Sequence, residues 1–359
     1  MSDPRVPPFD QRQRYSVLAS LYHACVGARD RAELSVLDVG GFFRDFGGRP
    51  ALPARELTAA GRAIVVDREP WNRLESDDAF AGSDGYCRAD AGRLPFCDGT
   101  FDIVSCLDVL EHVPRDRRPG VIREISRVCR GWLLIAVPFA DDGSPARERL
   151  FADFIAATGQ LEHQQLGEHI RFGLPTHAEM LGMLPAATRS FGYGNLDRWI
   201  VMMLAKHYLL ALPYNLSTFH RLEKAYARDA ASVERQAPFY RRFYLATIGS
   251  GIPDAPLARV EESFRAIEPT GSDRAPLGAG LVSRLLQELV EADADRLDEA
   301  RAPVLEENAA LRAEIVELRQ AVAHLRSAVE EARAVLRAVE ASRTYKLSRL
   351  LRRILPGGA

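Results

Sequence analysis

The stretch from Val36 to Val113 constrains this chain more than any other. Short apolar runs alternate with loops there, and each run closes on glycine or an acid. The runs are Val36-Leu37-Asp38-Val39-Gly40-Gly41, Ile64-Val65-Val66-Asp67, Ala89-Asp90-Ala91, and Phe101 to Leu107 followed by Asp108-Val109-Leu110-Glu111-His112-Val113. Runs of this length are too short for buried helices and read as strands covered on both faces. Parallel strands of an open sheet meet a ligand at their carboxyl ends, where glycine and carboxylate have a use. Successive endings of one kind predict an α/β fold with a Rossmann-like, mostly parallel sheet and helices on both faces.

The flanking pattern agrees. Residues 11–27 form an amphipathic helix with Tyr15, Leu18, Leu21 and Tyr22 on one face. A second helix runs through Ala59 and is closed by Gly61, and a third over residues 117–129 carries Val121, Ile122, Ile125 and Val128 and is stopped by Gly131. Trp132 to Pro138 reads as a buried fifth strand. Beyond it lies a lid-like stretch, 162–177, with His163, His169 and His177. Strand candidates at 188–193 and 243–248 enclose a helical insert that includes Trp199, Met202, Met203 and Tyr208. The count is then a seven-stranded sheet with a helical insert between the last two strands. Residues 251–280 read as a flexible linker.

From Leu297 onward a 4-3 repeat holds, and taking Ile315 as an a position places Val322, Val329 and Leu336 at a with Leu311, Leu318 and Leu325 at d. That combination favours a parallel two-stranded coiled coil, with Asn308 at a specifying register and Glu307 and Glu314 facing Arg312 and Arg319 of a second chain. Pro303 marks the start of its continuous part. The tail from 343 to 359 sets Arg343, Lys346, Arg349, Arg352 and Arg353 around leucines and reads as basic and amphipathic, suited to an anionic membrane surface. The domains are therefore 1–250, the linker 251–280, the coiled coil 281–342 and the tail 343–359.

Composition removes several function classes. A net charge of −2 gives no electrostatic push toward nucleic acid, and no basic groove interleaved with aromatics is seen. Five scattered cysteines form no C-x-x-C pair and no histidine stands at ligand spacing, which argues for a reducing compartment and no metal. The amino-terminal residues lack a signal core, and Lys206 and His207 interrupt the longest apolar run, so a soluble cytoplasmic protein is expected, with peripheral contact at the inner membrane face through the tail.

The strand ends carry the chemistry. Gly40 and Gly41 let backbone approach a cofactor closely, Asp67 is placed to accept from both hydroxyls of a ribose, and Asp90 with the Ala91 backbone could read an adenine. No G-x-G-x-x-G is present, which suits an adenosine group without a pyrophosphate.

These pieces, with Ala91-Gly92-Arg93-Leu94-Pro95-Phe96 and Val109-Leu110-Glu111-His112-Val113, resemble the core of a class I S-adenosylmethionine-dependent methyltransferase of the type 11 group, over residues 36–139. The resemblance implies S-adenosylmethionine as cofactor. Gly40, Gly41 and neighbouring backbone would meet its methionine part, Asp67 its ribose, and Asp90 and Ala91 its adenine. Asp108 would lie near the sulfonium, and Asp38 would complete the set as the acid of the glycine turn. Phe42 departs from the family pattern, standing where D-x-G-x-G has its second glycine. Methyl transfer is an in-line displacement, and an oxygen nucleophile also needs a base. His112, His163 and His169 are the candidates, with Glu168 orienting His169; His112 and His169 lead. Asp102, at the start of its strand, is read as structural.

A coiled coil ending in Ser342-Arg343-Thr344-Tyr345-Lys346-Leu347-Ser348-Arg349 resembles bacterial enzymes that modify or terminate surface polysaccharides. O-methylation of a sugar or glycan is the expectation, beside a membrane-bound assembly complex. A lipid-like or other small-molecule acceptor, or a non-catalytic scaffold acting through the coiled coil, are the alternatives.

Overall fold

The computed structural model describes residues 8–26, 34–44, 50–51, 62–69, 85–158, 163–210, 233–268 and 276–342, with single positions 54, 223, 226 and 346. The described strands are β1 (Ser35–Val39), β2 (Phe43–Arg44), β3 (Pro50–Ala51), β4 (Arg62–Asp67), β5 (Tyr86–Arg88), β6 (Phe101–Leu107), β7 (Cys129–Pro138), β8 (Arg189–Asn195) and β9 (Phe239–Thr247). The helices are α1 (Phe9–Val26), α2 (Arg118–Val128), α3 (Ser144–Ala157), α4 (Gln164–Phe172), α5 (His177–Met183), α6 (Leu196–Leu210), α7 (Ala255–Ser263) and α8 (Pro276–Ala341).

Seven strands form one sheet in the order β5-β4-β1-β6-β7-β9-β8, and β2 pairs only with β3. Every main-sheet pairing is parallel except those of β9, which runs antiparallel to both neighbours. β1 is central: Leu37 is flanked by Ile64 on one side and Val104 on the other. Burial on both faces explains why its five residues read as one apolar run.

The period of two in β7 divides the core. Trp132, Leu134 and Ala136 join Tyr15, Leu18 and Tyr22 of α1, whereas Leu133, Ile135 and Val137 join Val121, Ile122 and Ile125 of α2. Helices thus cover both faces, as expected. The insert supplies a third cluster, in which Trp199, Met202 and Met203 of α6 pack with Phe151 and Ile155 of α3 and with Tyr240. None of the described helices is long and apolar enough to cross a membrane.

Four sequence expectations differ from the structure. Residues 255–263, inside the expected linker, form α7, whose Leu257 and Val260 are buried on the α1 side of the sheet. Trp132 Nε1 also donates to the Pro253 carbonyl at 3.0 Å, and Arg189 pairs with Asp254 and Glu261. A single turn-spaced pair of apolar residues in a polar stretch was too weak a periodicity to show this. Gly131 does not end α2, which stops at Val128; it lies within β7. α8 runs as one helix through Pro303, where a lost backbone hydrogen bond does not end it, and the chain divides into compact units at residues 294 and 295. The helix expected to close at Gly61 and the tail beyond residue 342, Lys346 aside, lie outside the described residues.

Asp102 has the structural role expected of it. Its carboxylate accepts from the Ser35 amide at 3.0 Å and hydroxyl at 2.8 Å and pairs with Arg130 at 2.8 Å. Burial pushes its pKa upward, but Arg130 and Ser35 more than offset this and hold it below the ordinary carboxylate value. Its contribution to stability is therefore complete above about pH 4 and is lost as pH falls through the lowered folded value. Asp102→Ala is expected to lower unfolding free energy by about 2 kcal/mol at neutral pH in urea titration, with a smaller difference at pH 2–3.

Candidate active site

At the end of β1 the chain turns through Gly40, whose φ of +77° is open to glycine at little strain. Its amide donates to the Val66 carbonyl at 2.7 Å and so fixes the turn against β4. Gly41 is needed for a different reason: a Cβ there would stand 1.9 Å from Asp38 Oδ2. Asp38 is fully buried and accepts from the Tyr15 hydroxyl at 2.8 Å and the Ser105 hydroxyl at 2.7 Å. Burial pushes its pKa up to about 6 against the pull of those two donors. Asp38 does not line the pocket; of its two expected roles, cofactor residue and structural acid holding the glycine turn, the structure shows the second. An acid in mid-strand points to whichever face its register dictates, and this one points into the packing of α1.

A cavity of about 540 Å³ opens beside this turn, within the usual range for a small-molecule site. Gly40, Gly41, Asp67, Asp90, Ala91 and Asp108 all line it, so the structure brings together every other expected cofactor residue. Asp67 Oδ1 accepts from the Glu69 amide at 3.1 Å. Burial raises its pKa despite the backbone amides of Glu69, Arg68 and Phe42. Phe42 also lines the cavity, with its ring edge-on to Tyr86 at 5.5 Å. Its backbone therefore supports the carboxylate that its side chain neighbours. Asp90 Oδ1 accepts from the Gly92 amide at 2.8 Å, shaping the turn that presents Ala91.

Asp108 is held differently. It has a positive φ of 54°, and Arg241 Nε lies 3.0 Å from its Oδ1 and 2.7 Å from its Oδ2. Arg14 stands 3.5 Å away on the other side. The carboxylate is thus matched by two guanidinium groups. Arg241 and Arg14 were missed from sequence; a charged residue within the apolar run of β9 was the available signal.

Further along the cavity wall, His112 and His169 meet, with Nε2 atoms 3.3 Å apart. His112 sits in the single turn after β6 and His169 on α4. His112 Nδ1 lies 2.8 Å from Glu168, and His169 Nδ1 lies 2.8 Å from Glu148 of α3. Glu168 therefore orients His112 rather than His169, because consecutive helical residues point in different directions. Glu148, which also accepts from the Tyr240 hydroxyl at 2.8 Å, takes the role expected of Glu168. His163 is the N-cap of α4, its Nδ1 accepting from the Leu166 amide, and is committed to structure. Buried Arg118 donates to the carbonyls of Leu110, Val113 and Gly173 and ties the His112 turn to the end of α4.

Glu111 completes the group and was not singled out from sequence. It is 0% exposed, and neither carboxylate oxygen has a hydrogen-bond partner. Burial, with the Asp108 charge, pushes its pKa up to about 8. Burial and the neighbouring His169 push His112 down to about 3. For His169 the burial penalty is outweighed by Glu148 and Glu111, and the pKa is raised.

Comparison with known proteins agrees with the layout. Residues 45–135 match the family described as "Methyltransferase domain". Over that span the chain is similar to a methyltransferase domain. S-adenosylmethionine is the cofactor of the domain, and the residues present fit it: carboxylates at two adjacent strand ends, a glycine turn and no pyrophosphate loop. An uncharacterized methyltransferase of Mycobacterium tuberculosis is 31% identical over 141 residues, 39% of this chain and 55% of its own length. One from Mycobacterium marinum is 38% identical over 88 residues, covering 24% and 34% respectively. The chain spans about half the length of the M. tuberculosis relative. Among solved structures, a putative sarcosine dimethylglycine methyltransferase from Galdieria sulphuraria is 15% identical with a TM-score of 0.40, covering 67% of this chain and 86% of its own. Haemonchus contortus phosphoethanolamine N-methyltransferase 2, in complex with S-adenosyl-L-methionine, is 15% identical with a TM-score of 0.39, covering 66% and 53%.

The close fit at Gly41 is directly testable. Gly41→Ala is expected to force the Asp38 carboxylate off a hydroxyl donor and lower stability by about 2 kcal/mol, read by urea unfolding. A variant as stable as the parent would contradict the packing described.

Proposed function

We propose that this chain transfers a methyl group from S-adenosylmethionine to a hydroxyl of a sugar or glycan. In this reading Asp67 accepts from the ribose hydroxyls, Asp90 and the Ala91 backbone meet the adenine, and the Gly40–Gly41 turn meets the methionine part. Asp108, matched by Arg241 and Arg14, forms the wall near the sulfonium and orients the cationic frame around it.

The observation that carries the reading is the convergence of these strand ends and the His112–His169 pair in one cavity. A base or equivalent activating group is what an oxygen nucleophile requires, whereas positioning alone serves a stronger nucleophile. The Nε2 atoms of the pair meet at 3.3 Å in the cavity wall, within reach of an acceptor's oxygen in this reading, with each ring held by a carboxylate. The same cavity is lined by Asp10, Gln11, Arg14, Gln164, Gln165 and Lys206 as well as by the apolar Phe151, Trp199 and Met203, so polar groups and stacking rings stand together in it. The polar members of that wall supply the hydrogen-bond partners a hydroxyl-rich acceptor needs. Incubation with methyl-labelled S-adenosylmethionine and a panel of sugars and oligosaccharides tests this. Label is expected in a hydroxylated acceptor, and His112→Ala or His169→Ala is expected to lower turnover about 100-fold or more. Labelling that persists at the parent rate in both variants would remove the pair from the reaction.

The same chain is proposed to pair with a second copy through α8. Leu311, Leu318 and Leu325, at successive d positions, are 48%, 57% and 66% exposed, an apolar stripe that a parallel partner helix would cover. A coiled coil of this kind would hold the enzyme beside a membrane-bound assembly complex for surface polysaccharide, with the basic tail against the membrane. Removal of residues 294–359 is expected to convert a dimer to a monomer in light scattering; a truncated chain that stays dimeric would place the contact elsewhere.

A further inference from the structure

The acceptor end of the cavity holds more than a pair of histidines. Three groups able to offer a ligand atom to a metal converge there: His112, His169 and the Glu111 carboxyl group, with those atoms all within 4.8 Å of one another. From these we propose a binding site for one divalent transition-metal ion of the zinc class, with Glu111, His112 and His169 as its ligands.

The two rings are already prepared as ligands. A carboxylate accepts, so in the neutral rings Glu168 and Glu148 place the proton of each histidine on Nδ1 and leave Nε2 free to bind a cation. At 3.3 Å the two Nε2 atoms are close enough to share a proton, and the same spacing is that of two nitrogens bound to one cation. Metal-bound histidines characteristically have this arrangement, with the second ring nitrogen donating to a carboxylate that fixes tautomer and direction. The spacing also suits an ion. Ligands at ~2.05 Å subtending a tetrahedral angle stand ~3.3 Å apart. Glu111 Oε1, 3.9 Å from His169 Nε2, needs only a small side-chain shift to join them.

Glu111 is the independent observation. It is fully buried and neither oxygen has a hydrogen-bond partner, and a buried polar group left without one is costly. Arg241 and Arg14 pair with Asp108, and neither guanidinium donates a hydrogen bond to Glu111. Glu111, Glu148 and Glu168 thus gather three carboxylates around two imidazoles. A divalent cation compensates that charge at the point where the two Nε2 atoms meet. Imidazole ligands favour zinc, cobalt or nickel over magnesium or calcium. Sequence spacing gave no sign of this set, because Glu111 and His112 are adjacent in a turn while His169 arrives from a distant helix.

Three protein ligands leave a coordination position, and all three line the cavity. What fills that position rests on the proposed methyl transfer. An acceptor hydroxyl bound there would lose its proton to solvent; its oxygen then bonds to the methyl carbon as the carbon–sulfur bond breaks. The bonding pair stays on sulfur, the sulfonium becomes a neutral thioether, and the ion is unchanged. The histidines then act as ligands rather than as the base.

Full-length protein stripped with chelator and titrated with Co²⁺, followed by visible absorption, tests the site, with Zn²⁺ as competitor. One Co²⁺ per chain is expected, with d–d bands of a four- or five-coordinate ion that Zn²⁺ abolishes. His112→Ala, His169→Ala and Glu111→Gln are expected to weaken binding at least 100-fold, Glu148→Gln about 10–100-fold, and His177→Ala not at all. Circular dichroism and S-adenosylmethionine affinity of each variant establish that it is folded. Absence of the bands at millimolar Co²⁺ in the parent, or bands undiminished in His112→Ala and His169→Ala, would overturn the proposal. Cobalt binding without methyl transfer would overturn only the acceptor reading, and methyl transfer undiminished in stripped protein would overturn the metal's role.

Discussion

A single buried carboxylate sets the frame on which the cavity depends. Asp38 joins three elements at once: the Tyr15 hydroxyl from α1, the Ser105 hydroxyl from β6, and the turn after its own strand, where it fills the space a side chain at position 41 would need. Burying an acid is unfavourable unless its oxygens are partnered, and these two hydroxyl donors meet that requirement. The consequence is geometric. With α1 pinned to the centre of the sheet, Arg14, beside Tyr15 on α1, reaches Asp108 at the end of β6. Arg241 reaches the same carboxylate from β9. The wall between the cofactor end and the acceptor end is thus built from the amino-terminal helix, a central strand and the antiparallel strand, none of which is close to the others in sequence.

Strand ends were legible because their signal is local. A buried parallel strand reads as a short apolar run, and the acid or glycine that follows it is adjacent in sequence; Gly40, Asp67, Asp90 and Asp108 all lie in one cavity for that reason. Partners that come from elsewhere were not legible. Glu168 precedes His169 and was assigned to it, yet the turn of a helix sends it to His112, while Glu148 on another helix serves His169. Asp38 was placed among cofactor residues because it sits in the right motif, although its direction in the strand turns it inward. The short α7 reads as linker because no more than Pro256, Leu257 and Val260 mark its buried face. In each case the deciding contact is tertiary, and no spacing along the chain encodes it.

The acceptor end has an economy of its own. α4 carries both Glu168 and His169, so one helix supplies a ligand-like nitrogen and the carboxylate that orients its counterpart. Arg118 fixes the end of that helix to the turn bearing His112 through four backbone carbonyls, which keeps the two imidazoles in register. Polarity along the adjoining wall and the exposed stripe of α8 extend the same reading from donor to acceptor and from one chain to two.

Isothermal titration calorimetry of the full chain with S-adenosylmethionine, beside its Asp67→Ala form, tests the central claim most directly. One site per chain is expected for the parent, with affinity at least about tenfold weaker once the ribose-facing carboxylate is removed. No heat of binding in the folded parent, or equal affinity in Asp67→Ala, would contradict the account.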